Sequence, residues 1–261
     1  MAEGQYASVN GLSLYYEVYG KGKPLLLIHG GFGFAGVFAQ ILPALAENHQ
    51  VIAVELQGHG HTADIDRPFS FQQMGDDIAA LIKHLGLGKA DVAGYSLGGG
   101  AALQTTIRHP DVVRKLVVIS APCKRDGWYP ESRDGMASLT VEGMTATPLY
   151  QTYLSVAPQP QNWPTLVTKT RDLLRQDYDW SAGVAAIKTP TMIVVGDADA
   201  VRPAHAVQFF ELLGGGQREA GWDGSGMSTA RLAILPGLTH YNIIDSPVLV
   251  ATITSYLDAP V

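Results

Sequence analysis

The 261-residue sequence has little of the chemistry on which several protein classes depend. It holds one cysteine, Cys123, so no disulfide can form within the chain, and a disulfide-stapled scaffold is excluded. Only 16 % of the residues are charged and 46 % are hydrophobic, which excludes an intrinsically disordered chain. The net charge is −6 and there is no run of lysine or arginine. We therefore expect neither nucleic acid nor an anionic membrane as a partner.

Features of targeting and membrane segments are also missing. Residues 1–5 have neither the basic start nor the apolar core of a signal peptide. Residues 24–46 contain no charged side chain, but a histidine, two adjacent glycines, a glutamine and a proline interrupt them. A lipid-facing helix would not tolerate so many polar and helix-breaking residues. We expect a soluble, cytoplasmic protein.

Short apolar runs alternate with helical patterns along most of the chain. Residues 5–19 predict a hairpin with its turn at Asn10-Gly11. Residues 70–85 give the clearest helix, because their apolar side chains fall on one face. The further strands are predicted at 25–28, 51–54, 91–93, 116–119, 192–195 and 232–235, and the further helices at 37–46, 97–108, 204–213 and 248–257. This alternation predicts an α/β protein, with a mostly parallel sheet covered by helices on both faces.

Residues 124–189 break the alternation. They contain five prolines, no convincing buried strand, and seven of the chain's fifteen tryptophans and tyrosines. These are Trp128, Tyr129, Tyr150, Tyr153, Trp163, Tyr178 and Trp180. Such aromatic side chains can form a small hydrophobic core within a helical insertion, or they can line an apolar pocket. We expect 1–123 and 190–261 to form the core, and 124–189 to form a cap that touches the substrate site.

The segment Gly94-Tyr95-Ser96-Leu97-Gly98 fits the pattern of a nucleophile elbow, a sharp turn between a strand and a helix. A predicted strand precedes it and a predicted helix follows, as that turn requires. Ser96 would have a strained backbone, and the glycines two positions away on either side would let the chain bend sharply. Its hydroxyl would lie at a helix N-terminus, which favours developing negative charge. The alternative is a glycine-rich turn that only starts a helix.

A serine nucleophile needs a base, and the base needs a carboxylate that orients it. His240 follows the last predicted strand and is the candidate base. The loop after the strand at 192–195 offers two acids, Asp197 and Asp199. We favour Asp199, which lies further into the loop, and expect Asp197 to brace the turn.

An oxyanion needs two backbone N–H groups, one of them from another loop. Small residues in His29-Gly30-Gly31-Phe32-Gly33, after a buried strand, would let the backbone approach a substrate. We assign the oxyanion hole to the N–H groups of Leu97 and Gly31, with Phe32 as the alternative to Gly31. The side chains expected at the substrate pocket are aromatic: Phe32, Tyr95, Trp128 and Tyr129.

Three other features invite a different interpretation. His59 and His61 with Asp64 are similar to a hydrolytic zinc site, but the carboxylate is displaced from the usual spacing, so we expect no metal. Cys123 lies just past a predicted strand, and we interpret it as a bystander thiol. The glycine-rich residues 214–230 lack the Lys-Ser/Thr of a phosphate loop, and we interpret them as a mobile surface loop.

Taken in chain order, the motifs resemble those of the α/β-hydrolase superfamily. They are His29-Gly30-Gly31, Gly58-His59-Gly60, Gly94-Tyr95-Ser96-Leu97-Gly98, Gly196-Asp197-Ala198-Asp199 and Gly237-Leu238-Thr239-His240. The resemblance spans the whole chain. It implies the α/β-hydrolase fold, with an eight-stranded, mostly parallel sheet and 124–189 in the position of the family's cap.

Serine at the elbow is similar to the esterase, lipase and peptidase branches, whereas dehalogenases and epoxide hydrolases have an aspartate there. One departure is Glu55-Leu56-Gln57, where the family often has an Asp and a basic residue. This departure concerns the bracing of a loop and leaves the triad intact.

These residues predict a cofactor-free serine hydrolase that cleaves apolar carboxylic esters through Ser96, His240 and Asp199. Perhydrolase or haloperoxidase-like chemistry and C–C bond hydrolysis use the same residues and remain alternatives. A non-enzymatic module that only binds a ligand in the pocket is a further alternative. We expect a small-molecule ester as the partner, and a monomer or a homodimer.

Overall fold

The computed structural model describes residues 4–260, and its elements are numbered here in chain order. The strands are β1 (Gly4–Val9), β2 (Leu12–Tyr19), β3 (Lys23–Ile28), β4 (His49–Val54), β5 (Ala90–Tyr95), β6 (Val113–Ile119), β7 (Thr191–Ala198) and β8 (Ala230–Thr239). The helices are α1 (Leu42–Leu45), α2 (Phe71–His84), α3 (Leu97–Arg108), α4 (Pro130–Ala137), α5 (Val141–Thr145), α6 (Pro148–Val156), α7 (Trp163–Arg175), α8 (Ser181–Ala186), α9 (Pro203–Leu212) and α10 (Pro247–Asp258).

The eight strands form one sheet in the order β1-β2-β4-β3-β5-β6-β7-β8. β2 runs antiparallel to β1 and β4, and the other neighbours are parallel. From β3 the chain moves to one side for β4 and to the other for β5. At such a switch point, the loops after the strands separate and leave a crevice at the carboxyl edge of the sheet. The expected eight-stranded, mostly parallel sheet is confirmed.

The central strands are buried on both faces, which explains their continuous apolar sequence. In β3, Leu26 and Ile28 pack in one cluster with side chains of α2 and α3. Leu25 and Leu27 face the other way, into a second cluster with α1 and α10. Each fully buried leucine contributes about 2 kcal/mol through removal of apolar surface from water. The sheet is therefore held from both sides.

The prediction of one helix over residues 37–46 is wrong. The structure has a single 3₁₀ turn, Ala35–Phe38, followed by the short α1. Pro43 lies in the first turn of α1. Proline cannot donate a backbone hydrogen bond and clashes with the preceding turn, so one continuous helix cannot run through it.

Residues 124–189 contribute α4 to α8 and, among the residues described, no strand of the sheet. The two ends of this segment are tied together: Lys124 forms an isolated bridge with Asp179, and the Trp180 N–H donates to the Cys123 carbonyl at 2.9 Å. The chain thus leaves the sheet after the carboxyl end of β6 and returns to the same place at Trp180, and α8 then leads to the start of β7 at the opposite edge of the sheet. In the described part of the chain, no helix is long and apolar enough to span a membrane.

Candidate active site

Ser96 occupies the turn between β5 and α3 with a φ of 53° and a ψ of −116°. A positive φ in a residue other than glycine costs about 1–3 kcal/mol and persists only where the surroundings enforce it. Here the Ser96 N–H donates to the Ile119 carbonyl at 2.9 Å, and the Ser96 carbonyl accepts from the Gly100 N–H at 3.2 Å. The turn is therefore fixed from both sides.

The flanking glycines serve a different purpose from the one expected. Neither Gly94 nor Gly98 is in the left-handed region. A Cβ on Gly94 would lie 2.1 Å from the Gly98 carbonyl oxygen, and one on Gly98 would lie 2.4 Å from the Ile28 carbonyl oxygen. Close approach of backbone to backbone, not conformational freedom, is what requires glycine at these two positions.

Three side chains meet beyond the carboxyl ends of their strands. His240 Nε2 lies 3.0 Å from Ser96 Oγ, and His240 Nδ1 lies 2.9 Å from Asp199 Oδ1. An ionised carboxylate can only accept, so Nδ1 carries the proton and Nε2 is free to accept from the serine hydroxyl. Asp197 points elsewhere and accepts from the Gly237 N–H at 2.8 Å. The structure thus places Asp199, and not Asp197, against the imidazole.

The Asp199 carboxylate is buried and has four donors. His240 Nδ1 and the Val201 N–H reach Oδ1, whereas the Ser120 hydroxyl and the Gly196 N–H reach Oδ2. Burial alone would raise the pKa of Asp199, but the interactions with His240 and the bonds from Ser120 and Val201 hold it below its usual value. Asp199 is therefore a carboxylate at neutral pH. The sequence reasoning did not identify Ser120.

Tyr95 lines the cavity, and its hydroxyl contacts the loop that bears His240. It donates to the His240 carbonyl oxygen at 2.6 Å, and the two rings lie 5.2 Å apart. The residue before the serine therefore holds the backbone of the histidine loop. No sequence signal indicated this contact, which joins residues 145 positions apart.

A histidine fixes the loop after β3. His29 Nδ1 lies 2.7 Å from the Gly30 carbonyl, and His29 Nε2 accepts from the Leu56 N–H at 3.1 Å. Full burial lowers the pKa of His29 to about 3, so the ring is neutral and Nδ1 donates. In the same loop, Phe32 has a φ of 60°, in the left-handed region that favours glycine. The peptides of Gly31 and Leu97, assigned above to the oxyanion hole, both line the cavity beside Ser96; that assignment stays a prediction.

The residues that depart from the family pattern brace neighbouring loops. Glu55 is fully buried and accepts from the Ala35 N–H at 3.0 Å and from the His61 N–H. Gln57 Nε2 donates to Asp64 Oδ1 at 2.7 Å. Glu55 thus ties the loop after β3 to the loop after β4.

The side chains similar to a metal site have other partners. His59 Nδ1 lies 2.9 Å from the Gln57 carbonyl, His61 Nδ1 pairs with Glu55, and Asp64 accepts from Gln57 and from Lys169 of α7 at 2.7 Å. Within residues 4–260, no group of three or more His, Cys, Asp or Glu is placed to hold a metal ion.

A cavity of about 540 Å³ opens onto Ser96 and His240. None of the described side chains that line it is a lysine, arginine, aspartate or glutamate. Its apolar lining comes from the sheet edge and from the segment 124–189 alike: Phe32, Val37, Phe71, Leu97, Ala121, Pro122, Trp128, Met136, Leu139, Met144, Leu149, Leu174 and Ile244.

Of the four aromatic residues expected at the pocket, three line the cavity and one does not. Phe32, Tyr95 and Trp128 line the cavity, and the Trp128 ring lies 5.5 Å from the His240 ring. Tyr129 does not line it. Its N–H donates to the Ala200 carbonyl, its side chain is exposed, and it directly precedes α4. Adjacent residues in extended backbone point to opposite sides, so only one of the pair can face the cavity.

Other aromatic residues of 124–189 pack against one another within the main buried cluster, and the Trp163 ring also lies 5.8 Å from the Phe32 ring. Trp163 is buried against Tyr150 and Tyr153, with ring centroids 5.3 Å apart in both pairs. Its Nε1 donates to Thr145 Oγ1 at 3.0 Å. Tyr178 does reach the cavity, where its hydroxyl accepts from Trp128 Nε1 at 3.3 Å. This segment therefore contributes aromatic residues both to the buried core and to the cavity lining.

Cys123 lies outside the cavity lining. It is fully buried, and its Sγ is 3.7 Å from His205 Nε2. Burial raises the pKa of the thiol to about 12. A thiol that stays protonated at neutral pH is a poor nucleophile.

The sequence model of the alpha/beta hydrolase fold family matches residues 23–254, and the chain therefore belongs to this family. The expectation from the motifs is confirmed. Pimeloyl-[acyl-carrier protein] methyl ester esterase of Nitrosomonas europaea is 26% identical over 90% of this chain and 95% of that protein. Soluble epoxide hydrolase of a Corynebacterium species is 34% identical over 43% of this chain and 40% of that protein.

Curated relatives about a third identical to this chain are matched over less than half of their own length. Among solved structures, E-2-(acetamidomethylene)succinate hydrolase superposes with a TM-score of 0.76 at 21% identity, over 99% of this chain and 100% of that chain. At this identity the superposition establishes the fold alone.

Proposed function

We propose that this protein is a serine hydrolase that cleaves neutral carboxylic esters with an apolar acyl group. The observation that carries the proposal is the hydrogen-bonded series from Ser96 Oγ through His240 to the buried Asp199, at the floor of an apolar cavity. A relative named as a methyl ester esterase, matched over nearly its whole length, supports the choice of an ester.

Acylation begins when Ser96 Oγ attacks the ester carbonyl. His240 Nε2, 3.0 Å away, takes the hydroxyl proton, and Asp199 stabilises the imidazolium that forms. The tetrahedral intermediate then collapses, and the C–O bond to the leaving alcohol breaks. His240 returns the proton to the departing alkoxide, which leaves an acyl group on Ser96.

The oxyanion is stabilised by the backbone N–H groups of Leu97 and Gly31. The Leu97 N–H is in the first turn of α3, where it lacks a partner within the helix and where the helix dipole adds favourable potential. A water molecule then attacks the acyl carbon while His240 takes its proton. Collapse of the second intermediate breaks the bond between the acyl carbon and Ser96 Oγ, which takes the proton back from His240, and the carboxylic acid is released.

We also propose that residues 124–189 act as a cap that selects the substrate. Trp128 and Tyr178, near the two ends of the segment, contribute to the lining. Since none of the lining side chains within residues 4–260 is a lysine, arginine, aspartate or glutamate, a charged acyl chain would be buried without a partner. Burying an unpaired charge is costly, so the cavity favours neutral, apolar groups.

The test uses p-nitrophenyl esters of increasing acyl length together with labelling by an organophosphate. We expect turnover of these esters, labelling of Ser96, and a loss of kcat on the order of 10⁶-fold in Ser96→Ala. Cys123→Ala is the matched control, because it removes the only thiol of the sequence, and it should keep its activity. A chelator should leave the rate unchanged.

Two results would contradict the proposal. One is a folded wild-type protein that turns over no ester and takes up no organophosphate. The other is activity that is lost on chelation and restored by zinc, since this would make the histidine pair His59 and His61 the reactive site.

A further inference from the structure

Four neighbouring strands of the sheet each end one residue before a hydroxyl, carboxylate or imidazole. Ser96 follows β5, Ser120 follows β6, Asp199 follows β7 and His240 follows β8. In the sheet these strands stand side by side in that same order. Parallel strands present their carboxyl ends at one edge, so the residue after β6 lies between those after β5 and β7. Ser120 is the one member of this row without a role in the mechanism above.

The backbone of Ser120 is strained. Its φ is 52°, in the region that favours glycine, although its side chain is a hydroxymethyl group. Its N–H donates to the Val194 carbonyl at 2.8 Å, which fixes the peptide beyond the end of β6. A glycine would adopt this conformation without a steric cost. What serine adds at this position is its hydroxyl group.

That hydroxyl is fully buried and donates to Asp199 Oδ2. Oδ1 lies 2.9 Å from His240 Nδ1 and also accepts from the Val201 N–H. On the other side, Oδ2 is shared by the Ser120 hydroxyl and the Gly196 N–H at 3.3 Å, so Ser120 supplies the one side-chain donor that, together with two backbone donors, keeps Oδ1 toward the histidine. Ser120 is not among the residues that line the cavity.

We propose that Ser120 is a positioning residue of the active site, which holds Asp199 in the orientation that His240 requires. The inference rests on the proposed ester hydrolysis for its kinetic consequence, but not for its structural one. Loss of the hydroxyl leaves the carboxylate charge less dispersed, so Asp199 stabilises the imidazolium more strongly. Oδ2 then keeps only the Gly196 N–H at 3.3 Å, so the carboxylate is held less firmly and orients His240 toward Ser96 less precisely, which lowers kcat.

The test compares Ser120→Ala with Ser120→Gly. Both remove the hydroxyl, but glycine also relieves the backbone strain, so it keeps the experiment informative if the alanine variant folds poorly. Thr191→Val is the matched control: it removes an equally buried hydroxyl at the opposite end of β7, where Thr191 Oγ1 donates to the Thr189 carbonyl. It should leave both the rate and the titration of His240 unchanged.

We expect both Ser120 variants to lose about tenfold in kcat, the usual effect of one hydrogen bond to a charged group, while KM stays the same. The acid limb of the kcat/KM profile should move to higher pH. Titration of the His240 ring by NMR, without any substrate, should show the same upward shift. A purely structural role would move neither titration.

The outcomes separate the two proposals. Unchanged kcat and unchanged His240 titration in both variants would overturn the role of Ser120 while ester hydrolysis stands. Wild-type kcat and titration in the glycine variant alone would assign the effect to strain and also overturn it. If wild type cleaves no ester and takes up no organophosphate while the His240 titration still shifts, the proposed function fails and the positioning of Asp199 by Ser120 holds.

Discussion

The sheet and the segment 124–189 differ in how closely sequence position fixes position in space. At the sheet edge, Ser96, Asp199 and His240 each follow a strand directly, and all three converge. In the segment 124–189, the adjacent Trp128 and Tyr129 separate, one into the cavity and one into solvent. A parallel sheet gives every strand end the same direction, whereas a set of short helices gives its side chains no common direction.

The difference has an energetic side as well. Strand ends are held by the hydrogen bonds of the sheet and by side chains buried on both of its faces. The short helices α4, α5 and α8 have few buried residues, and α4 has none. Substitutions at the sheet edge should therefore alter chemistry without unfolding, and substitutions in 124–189 should alter stability or selectivity. Four predictions test this contrast.

The largest effect is expected at the carboxylate beside the histidine. Asp199→Asn should lower kcat roughly 10⁴-fold with the fold intact, because an amide favours the wrong imidazole tautomer. Asp197→Asn is the control; its carboxylate contacts the Gly237 N–H and should affect stability more than kcat. Ester kinetics measure the loss of kcat in both variants, and thermal unfolding measures their loss of stability. A larger kcat loss in the Asp197 variant would show that the wrong acid was chosen.

The next effect concerns the core of the segment 124–189. Trp163→Ala removes a ring that is buried against Tyr150 and Tyr153 and should cost about 3–5 kcal/mol of unfolding free energy. Denaturant unfolding measures this value. Tyr129→Ala removes an exposed ring of similar size and should stay within about 0.5 kcal/mol. Equal losses in the two variants would mean that the packing of Trp163 does not stabilise the fold.

The buried histidines that should make stability fall between pH 6.5 and 4 lie outside the segment 124–189, which contains no histidine. Burial lowers the pKa of His59 to about 4 and that of His29 to about 3, from a usual value of 6.5. Below pH 6.5 these histidines bind protons in the unfolded chain but stay neutral in the folded one. Their contribution to the free energy of unfolding is therefore fully present above pH 6.5 and is lost as pH falls toward 4.

Replacing one of these histidines tests the assignment. His59→Gln should reduce the slope of unfolding free energy against pH, between pH 4 and 6, by up to about 1.4 kcal/mol per pH unit. Unfolding curves at several pH values measure that slope. His84→Gln removes a histidine at the end of α2 as a control and should leave it unchanged. The same slope in wild type and the His59 variant would contradict the assignment.

The smallest effect is expected in selectivity. Trp128→Ala should change the ratio of kcat/KM for long and short acyl esters several-fold, about 1 kcal/mol, because the ring lines the cavity. Labelling of Ser96 by a small organophosphate should be unaffected. Tyr129→Ala should leave the ratio unchanged. A flat chain-length profile in the Trp128 variant would mean that this aromatic residue does not select the substrate.

Much of the site could be predicted because its residues lie in short motifs at strand ends. The glycines around Ser96 and the chain order of Ser96, Asp199 and His240 can be identified directly in the sequence. Ser120 carried one weak signal, its position directly after an apolar run. Tyr178 was one of seven aromatic residues noted in 124–189, but nothing in the sequence separated it from those that do not line the cavity, since its contact with Trp128 joins residues 50 positions apart. Side chains brought in by long-range packing leave no local pattern.

The sequence by itself determined the α/β class, the central strands and the position of the sharp turn at Ser96, because periodicity and glycine spacing are local properties of the chain. Only the tertiary structure decided that Asp199, and not Asp197, meets the imidazole, that Tyr95 and Ser120 hold the members of this site, and that Tyr129 faces solvent. Each of these outcomes depends on the direction of a side chain relative to a distant element, and that direction is set by packing across the sheet edge.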